Sequence, residues 1–148
     1  MRRISLLAIL VGGAVSYMAP AVLGIIIGMG AGIWIGAAHP SHTPTQLDII
    51  LNPYFYYGIL AAQVLFGALG GYLAGVTARH DEALNGLLSS SLVVFISAGF
   101  HALDPHPLSI RVLKIVVIVI ASALGGYLRT VVVRRKASRT NPAELPLH

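Results

Sequence analysis

From Ile4 to Ala38 the chain carries no charged residue. About 18 apolar residues already cross the roughly 30 Å of hydrocarbon in a bilayer, so this run alone restricts the architecture. Further apolar runs follow at about 57–78, 84–103 and 109–133. Only 10% of the chain is charged and 56% is hydrophobic, whereas an ordinary globular chain carries about 25% charged residues. Too few charges remain to clothe a surface in water. The expected fold is all-α: a polytopic membrane protein with four transmembrane helices at about 4–38, 57–78, 84–103 and 109–133. These form a single domain over 1–137, and 138–148 is expected to be a disordered cytoplasmic tail.

The first run is longer than a perpendicular crossing needs, and Pro20 lies inside it. One long, tilted or kinked helix is the favoured reading, because membrane helices tolerate proline. A second is a cleaved signal peptide, with Met1-Arg2-Arg3 as n-region, Ile4–Val15 as h-region and Ala14-Val15-Ser16 before the cut. A third is two short spans with a turn near Pro20. In the loop that follows, Thr43-Pro44 has the form of a helix start, with Thr as N-cap and Pro at the first helical position. Leu47, Ile49, Ile50 and Leu51 then predict a short surface helix, ended by Asn52-Pro53. Tyr54-Phe55-Tyr56-Tyr57 suits the boundary between water and lipid.

Basic residues set the expected orientation. With four spans, one side holds Arg2, Arg3, Arg79, Arg129, Arg134, Arg135, Lys136 and Arg139, and the other holds Arg111 and Lys114. The positive-inside rule then places both termini in the cytoplasm. Because the basic residues flank spans, the formal charge of +5 does not imply a nucleic-acid partner.

The string ALGGYL occurs twice, at Ala68–Leu73 and Ala123–Leu128, and Arg79 and Arg134 follow the two copies at the same distance. This suggests two helix hairpins related by an axis along the membrane normal, although the first and third helices do not align at that offset. Lipid is as apolar as leucine, so membrane helices associate by close packing, which small residues permit. Gly24, Gly28, Gly32 and Gly36 form one ladder, and Gly67, Gly71 and Gly75 another; Gly125 with Ala121 makes a shorter one. The simplest arrangement packs the first two ladders against each other. Tyr72 and Tyr127 would reach for the cytoplasmic interface, and Arg129 would snorkel to it.

Little in the sequence points to a reaction. The absence of cysteine excludes disulfides, thiolate metal sites and thiol catalysis. There is no phosphate-cradling loop, and Gly67-Ala68-Leu69-Gly70 has no preceding strand to make it a dinucleotide motif. No carboxylate lies within a span, which argues against a proton-coupled pump. No cofactor is expected, and no enzymatic activity. Gln63, Ser89, Ser90 and Ser91 are a candidate polar seam for an oligomeric transporter or channel; bonding across helices is the plainer use of Gln63 and the serines. His39, His42, His101, Asp104 and His106, with Asp48 near, are candidate ligands for zinc or another divalent metal on the outer side. Arg111 and Lys114 share a face at the outer end of the last span, where pairing with Asp104 or Asp48, or snorkelling, would offset the cost of charge.

The stretch GGYLAGVTARHDEALNGLL, Gly70–Leu88, resembles a widespread group of small uncharacterised bacterial membrane proteins. In these a Gly-Gly-Tyr notch and a basic residue end the second span, and a short connector with a small or polar residue and glycine opens the third. The resemblance covers about two helices and implies four spans without implying a reaction. The long, histidine-containing first outer loop departs from that pattern. The partners expected are the lipid bilayer and a homo-oligomer or larger membrane complex, in which this chain serves as a structural or interaction subunit.

Overall fold

The computed structural model describes residues 4–41, 43, 45–78, 80–99 and 107–140. These form five helices: α1 (Leu6–Ala38), α2 (Gln46–Ile50), α3 (Pro53–Ala78), α4 (Glu82–Gly99) and α5 (Leu108–Thr140). α1, α3 and Leu108–Lys136 of α5 are each long and apolar enough to cross a membrane, whereas α4 is apolar over the shorter stretch Glu82–Ile96.

Local chemistry explains the helix ends. Ser5 caps α1, its side chain accepting from the Ala8 N–H at 3.3 Å. α1 is one uninterrupted helix through Pro20, so no turn divides it there. The short surface helix begins at Gln46, later than the expected Thr43-Pro44 start. Thr45 and Asp48 explain the shift by capping each other: the Asp48 N–H donates to the Thr45 hydroxyl oxygen at 3.3 Å and the Thr45 N–H donates to Asp48 Oδ2 at 2.8 Å, a carboxylate form of the capping box. Asn52 then caps α3, its Oδ1 accepting from the Tyr54 N–H at 2.9 Å, with Pro53 in the first-turn position where its missing N–H costs nothing. The aromatic cluster is therefore the first turn of α3, several residues earlier than the expected start near Tyr57. At the other extreme, α5 stays helical through Thr140, beyond the point where a disordered tail was expected. Arg134, Arg135 and Lys136 thus ride on the helix.

α1, α3, α5 and α4 surround one another in that order, with α3 also touching α4 across the centre; α1 and α5 stand at opposite corners. The beginnings of α1 and α4 lie with the ends of α3 and α5. Ser5 donates its N–H to Asn85 Oδ1 at 2.9 Å, Ala8 clusters with Ala74 and Ala78, and Gly126 lies against Glu82.

The packing is inverted relative to a water-soluble bundle. Among the described residues, the buried apolar ones are Ala8, Ala62, Ala74, Ala78, Ala121, Val93 and Ile118, and the largest fully buried side chains are Asn85, Ser16, Ser89 and Ser122. Leucine, isoleucine, methionine and tryptophan face outward along whole helices, as at Leu7, Met18, Ile25, Met29, Ile33 and Trp34 on α1. Contiguous apolar surface on this scale marks contact with lipid or protein, not with water.

Glycine pairs make this close packing possible. A methyl group on Gly70 would overlap Ser16 and the Gly12 carbonyl of α1, and one on Gly71 would overlap the Ser122 carbonyl of α5. One on Gly125 would overlap the Ala68 carbonyl of α3, and one on Gly126 would stand 2.7 Å from the Glu82 carbonyl of α4. Each Gly-Gly pair therefore lets one helix approach two neighbours at backbone distance. The two copies of the string are not equivalent: in the first the leading glycine faces its own hairpin partner, in the second the trailing one does. Gly12-Gly13 of α1 forms a third such pair. A methyl on Gly12 would lie 2.7 Å from Ala74 Cβ, and one on Gly13 would lie 2.8 Å from the Leu92 side chain.

The ladders do not meet as expected. Gly67 and Gly71 face α5, and Gly75 lies between Glu82 of α4 and Arg129 of α5. On α1, Gly24 receives Ile59, Gly28 receives Phe55 and Gly32 receives Ile49, while Gly36 is half-buried. These notches are filled by large side chains from α2 and α3, because α1 is separated from α3 by side chains in its outer half. Close backbone approach occurs instead around Gly12.

Ser122 makes a hydrogen bond between spans, its hydroxyl donating to the Gly67 carbonyl at 3.1 Å. Ser122→Ala is expected to lower stability by about 0.6 kcal/mol, the mean for such bonds in a membrane protein. Reversible unfolding in mixed micelles measures this, and a cost several-fold larger would show that the bond also fixes helix position.

Candidate functional site

The expected polar seam is not a single surface. Ser89 and Ser90 are buried, but each hydroxyl donates to its own helix, to the carbonyls of Gly86 at 2.7 Å and Leu87 at 2.6 Å. Ser91 does the same to Leu88 at 2.6 Å and is exposed. Back-bonding of this kind satisfies a serine without a partner helix, so the expectation that these serines bond across helices fails. Ser122, which carries the bond from α5 to α3, had no distinguishing mark apart from its place one turn before Gly125-Gly126.

Gln63 is placed differently. It lines a cavity of about 270 Å³ halfway along α1 and α3, walled by Ser16, Tyr17, Pro20, Ala21 and Gly24 of α1 and by Phe55 and Ile59 of α3; Val93 of α4 and Ile118 of α5 complete it. All four long helices contribute. Gln63 Oε1 is buried and accepts no hydrogen bond. Nearby, the Ser16 hydroxyl donates to the Gly12 carbonyl at 2.8 Å. Pro20 has no N–H to offer the Ser16 carbonyl, the acceptor it would meet in an unbroken ladder. Sequence reading marked Gln63 as a polar residue in a span and Pro20 as a kink; their meeting at one cavity wall depends on how α1 and α3 are rotated.

Asn85 is the principal polar residue missed. It is fully buried. Its Oδ1 accepts from the Ser5 N–H at 2.9 Å, and its Nδ2 donates to the carbonyls of His80 at 3.1 Å and Asp81 at 3.2 Å. Asn85-Gly86 reads in sequence as a turn or helix entry. In the fold Asn85 lies within α4, joining the beginning of α1 to the connection between α3 and α4. Asp81 there adopts φ 46°, a left-handed conformation that Asp tolerates better than most residues.

Of the candidate metal ligands, His42, His101, Asp104 and His106 lie outside the described residues. His39 is exposed beside the end of α1, its N–H donating to the Ile35 carbonyl at 3.0 Å. It shares a surface hollow with Asp48 and Asn52, and among the described residues no group of three candidate ligands comes together. Lys114 lies over the Tyr56 ring, 5.0 Å from its centroid, a cation–π contact that sequence reading did not anticipate. Tyr56 packs edge-on to Tyr57 at 5.3 Å, and Trp34 to Tyr54 at 6.3 Å, so the expected aromatic boundary is a belt joining α1 and α3. Tyr127 is exposed and Tyr72 half-buried. Arg129, half-buried, lays its stem against Gly75.

Compared with family models, curated proteins and solved structures, the chain matches none.

Proposed function

We propose that this chain is a multi-pass component of a bacterial inner membrane, with α4 as its fourth span and both termini cytoplasmic. It acts there as a structural or interaction subunit and not as an enzyme. The observation that carries this reading is the inverted packing: Gly, Ala, Ser and Asn form the interior, and the large apolar side chains face out. Orientation rests on charge. Arg129, Arg134, Arg135 and Lys136 lie on the C-terminal half of α5, whereas Arg111 and Lys114 lie near its start, and an excess of basic residues marks the cytoplasmic side.

The partner-facing element is the outer half of α1. Its glycine ladder is occupied from within the chain, so assembly uses the large side chains on the opposite surface: Val22, Ile25, Ile26, Met29, Ile33 and Trp34 are each more than half exposed. Photo-crosslinking from Ile26 and Ile33 in native membranes tests this. A discrete protein adduct, identified by mass spectrometry and absent when the probe sits at Leu124 of α5, is the expected result. Lipid adducts alone at all three positions would remove the interaction role. An oligomeric transporter with Ser89, Ser90, Ser91 and Gln63 along one seam gains no support from the dispersal of the three serines.

A further inference from the structure

We propose that the exposed face of α5 at its C-terminal end binds an anionic glycerophospholipid, with the phosphate on Arg134 and Arg135 and an acyl chain along Leu124, Tyr127, Leu128 and Val132. The proposal rests on the reading of α5 as a membrane span. Depth sets the first limit. Lys114 and Arg134 are 20 residues apart, which at 1.5 Å per residue is about 30 Å, the thickness of the hydrocarbon. Arg134 and Arg135 therefore stand where the hydrocarbon ends and the phosphates begin. Leu124 lies ten residues before Arg134, about 15 Å deeper, so the face between them is as deep as one leaflet.

Direction sets the second. α5 runs as one helix through Thr140, so the residues below fix which way Arg134 and Arg135 face. Seven residues make close to two turns, and Arg134-Arg135 follow Tyr127-Leu128 by seven. The arginine pair thus stands above the Tyr-Leu pair. Leu124, Tyr127 and Leu128 are each more than half exposed and Val132 is exposed, as are Arg134 and Arg135. Side chains on a helix lean toward its N-terminus, so both guanidinium groups lean back over the apolar face and toward the bilayer.

Charge picks the occupant. A guanidinium presents a fork of N–H donors that matches the oxygens of a phosphate. α5 contains no acidic residue to receive the ammonium of a zwitterionic headgroup. Glu82 of α4 lies against Gly126, on the inner side of α5, with its side chain toward Gly75. Arg129 turns the same way, its stem against Gly75, and takes no part. A net negative headgroup on an apolar tail meets both the arginine pair and the face beneath it.

The test reconstitutes the full chain in phosphatidylcholine nanodiscs with a trace of a photoreactive lipid that carries a diazirine at mid-chain. The tracer has either a phosphatidylglycerol or a phosphatidylethanolamine headgroup on the same chains, and labelled peptides are quantified by mass spectrometry. Label on Leu124–Val132 should be greater with phosphatidylglycerol, by roughly fivefold for each arginine engaged. Label on α1 around Met18–Ile26 should be equal for the two tracers. Arg134→Gln combined with Arg135→Gln, at two exposed positions where folding tolerates the change, should remove the excess and leave the α1 label unchanged. Equal labelling of Leu124–Val132 by the two tracers would overturn the proposal, as would an excess that survives the double substitution. An excess of the same size on α1 would also overturn it, because it marks attraction by net charge alone. A chain that stays outside the nanodiscs would remove the membrane reading and this proposal together. Protein adducts from Ile26 and Ile33 in native membranes report on α1 and do not depend on either tracer.

Discussion

Gly71→Ala is expected to destabilise the bundle by about 3 kcal/mol, at the top of the usual range for overpacking. The new methyl would overlap the Ser122 carbonyl, which is backbone and cannot turn aside as a flexible side chain does. α3 and α5 would have to separate, and their separation would lengthen the bond from Ser122 to the Gly67 carbonyl, now 3.1 Å. The control is Gly30→Ala, where nothing lies within 4 Å of the added carbon. Alanine is the better helix former by about 1 kcal/mol, so that variant should be neutral or slightly stabilised. Reversible unfolding of both variants in mixed micelles decides the matter. Equal stabilities would mean that α3 and α5 do not touch at Gly71.

Asn85→Leu is the second large effect, expected at about 3 kcal/mol. Leucine is a better helix former than asparagine and is at home in lipid, so composition alone forecasts a gain. The fold forecasts a loss. Asn85 has no exposed surface, and its amide serves the Ser5 N–H and the His80 and Asp81 carbonyls at once. Leaving a buried polar group unpaired costs about 1–3 kcal/mol, and the branched side chain must also fit where a flat amide was held. The loss should be local as well as global. Hydrogen exchange at Ser5 and through the first turn of α1 should speed up, while exchange in the middle of α5 should hardly change. A variant more stable than the parent, with the start of α1 still protected, would remove Asn85 as the link between the start of α1 and the connection from α3 to α4.

Several features were legible in the residues. The long first helix, the interruption between the runs at 57–78 and 84–103 and the break at Asn52-Pro53 follow from apolar runs and punctuation that any neighbouring structure must respect. The close approach at Gly71 and Gly125 was legible too, because a doubled glycine in an apolar helix has few other uses. Their partners were not. Gly67 and Gly71 were expected against α1 and face α5, and the ladder of Gly24, Gly28 and Gly32 receives Ile59, Phe55 and Ile49. The start of α2 was misplaced because a local exchange between Thr45 and Asp48 outweighs the form of Thr43-Pro44. The cavity at Gln63 was not legible, since it joins residues from four helices.

By itself the sequence determined the apolar character of this chain and roughly where its long helices lie, because both depend on composition and on near neighbours. Only the tertiary structure decided which face of each helix turns inward. In water, apolarity separates inside from outside. Along these helices both faces are apolar, and lipid is no less apolar than leucine. Size then does the sorting, and which small residue meets which is settled by four helices packing at once.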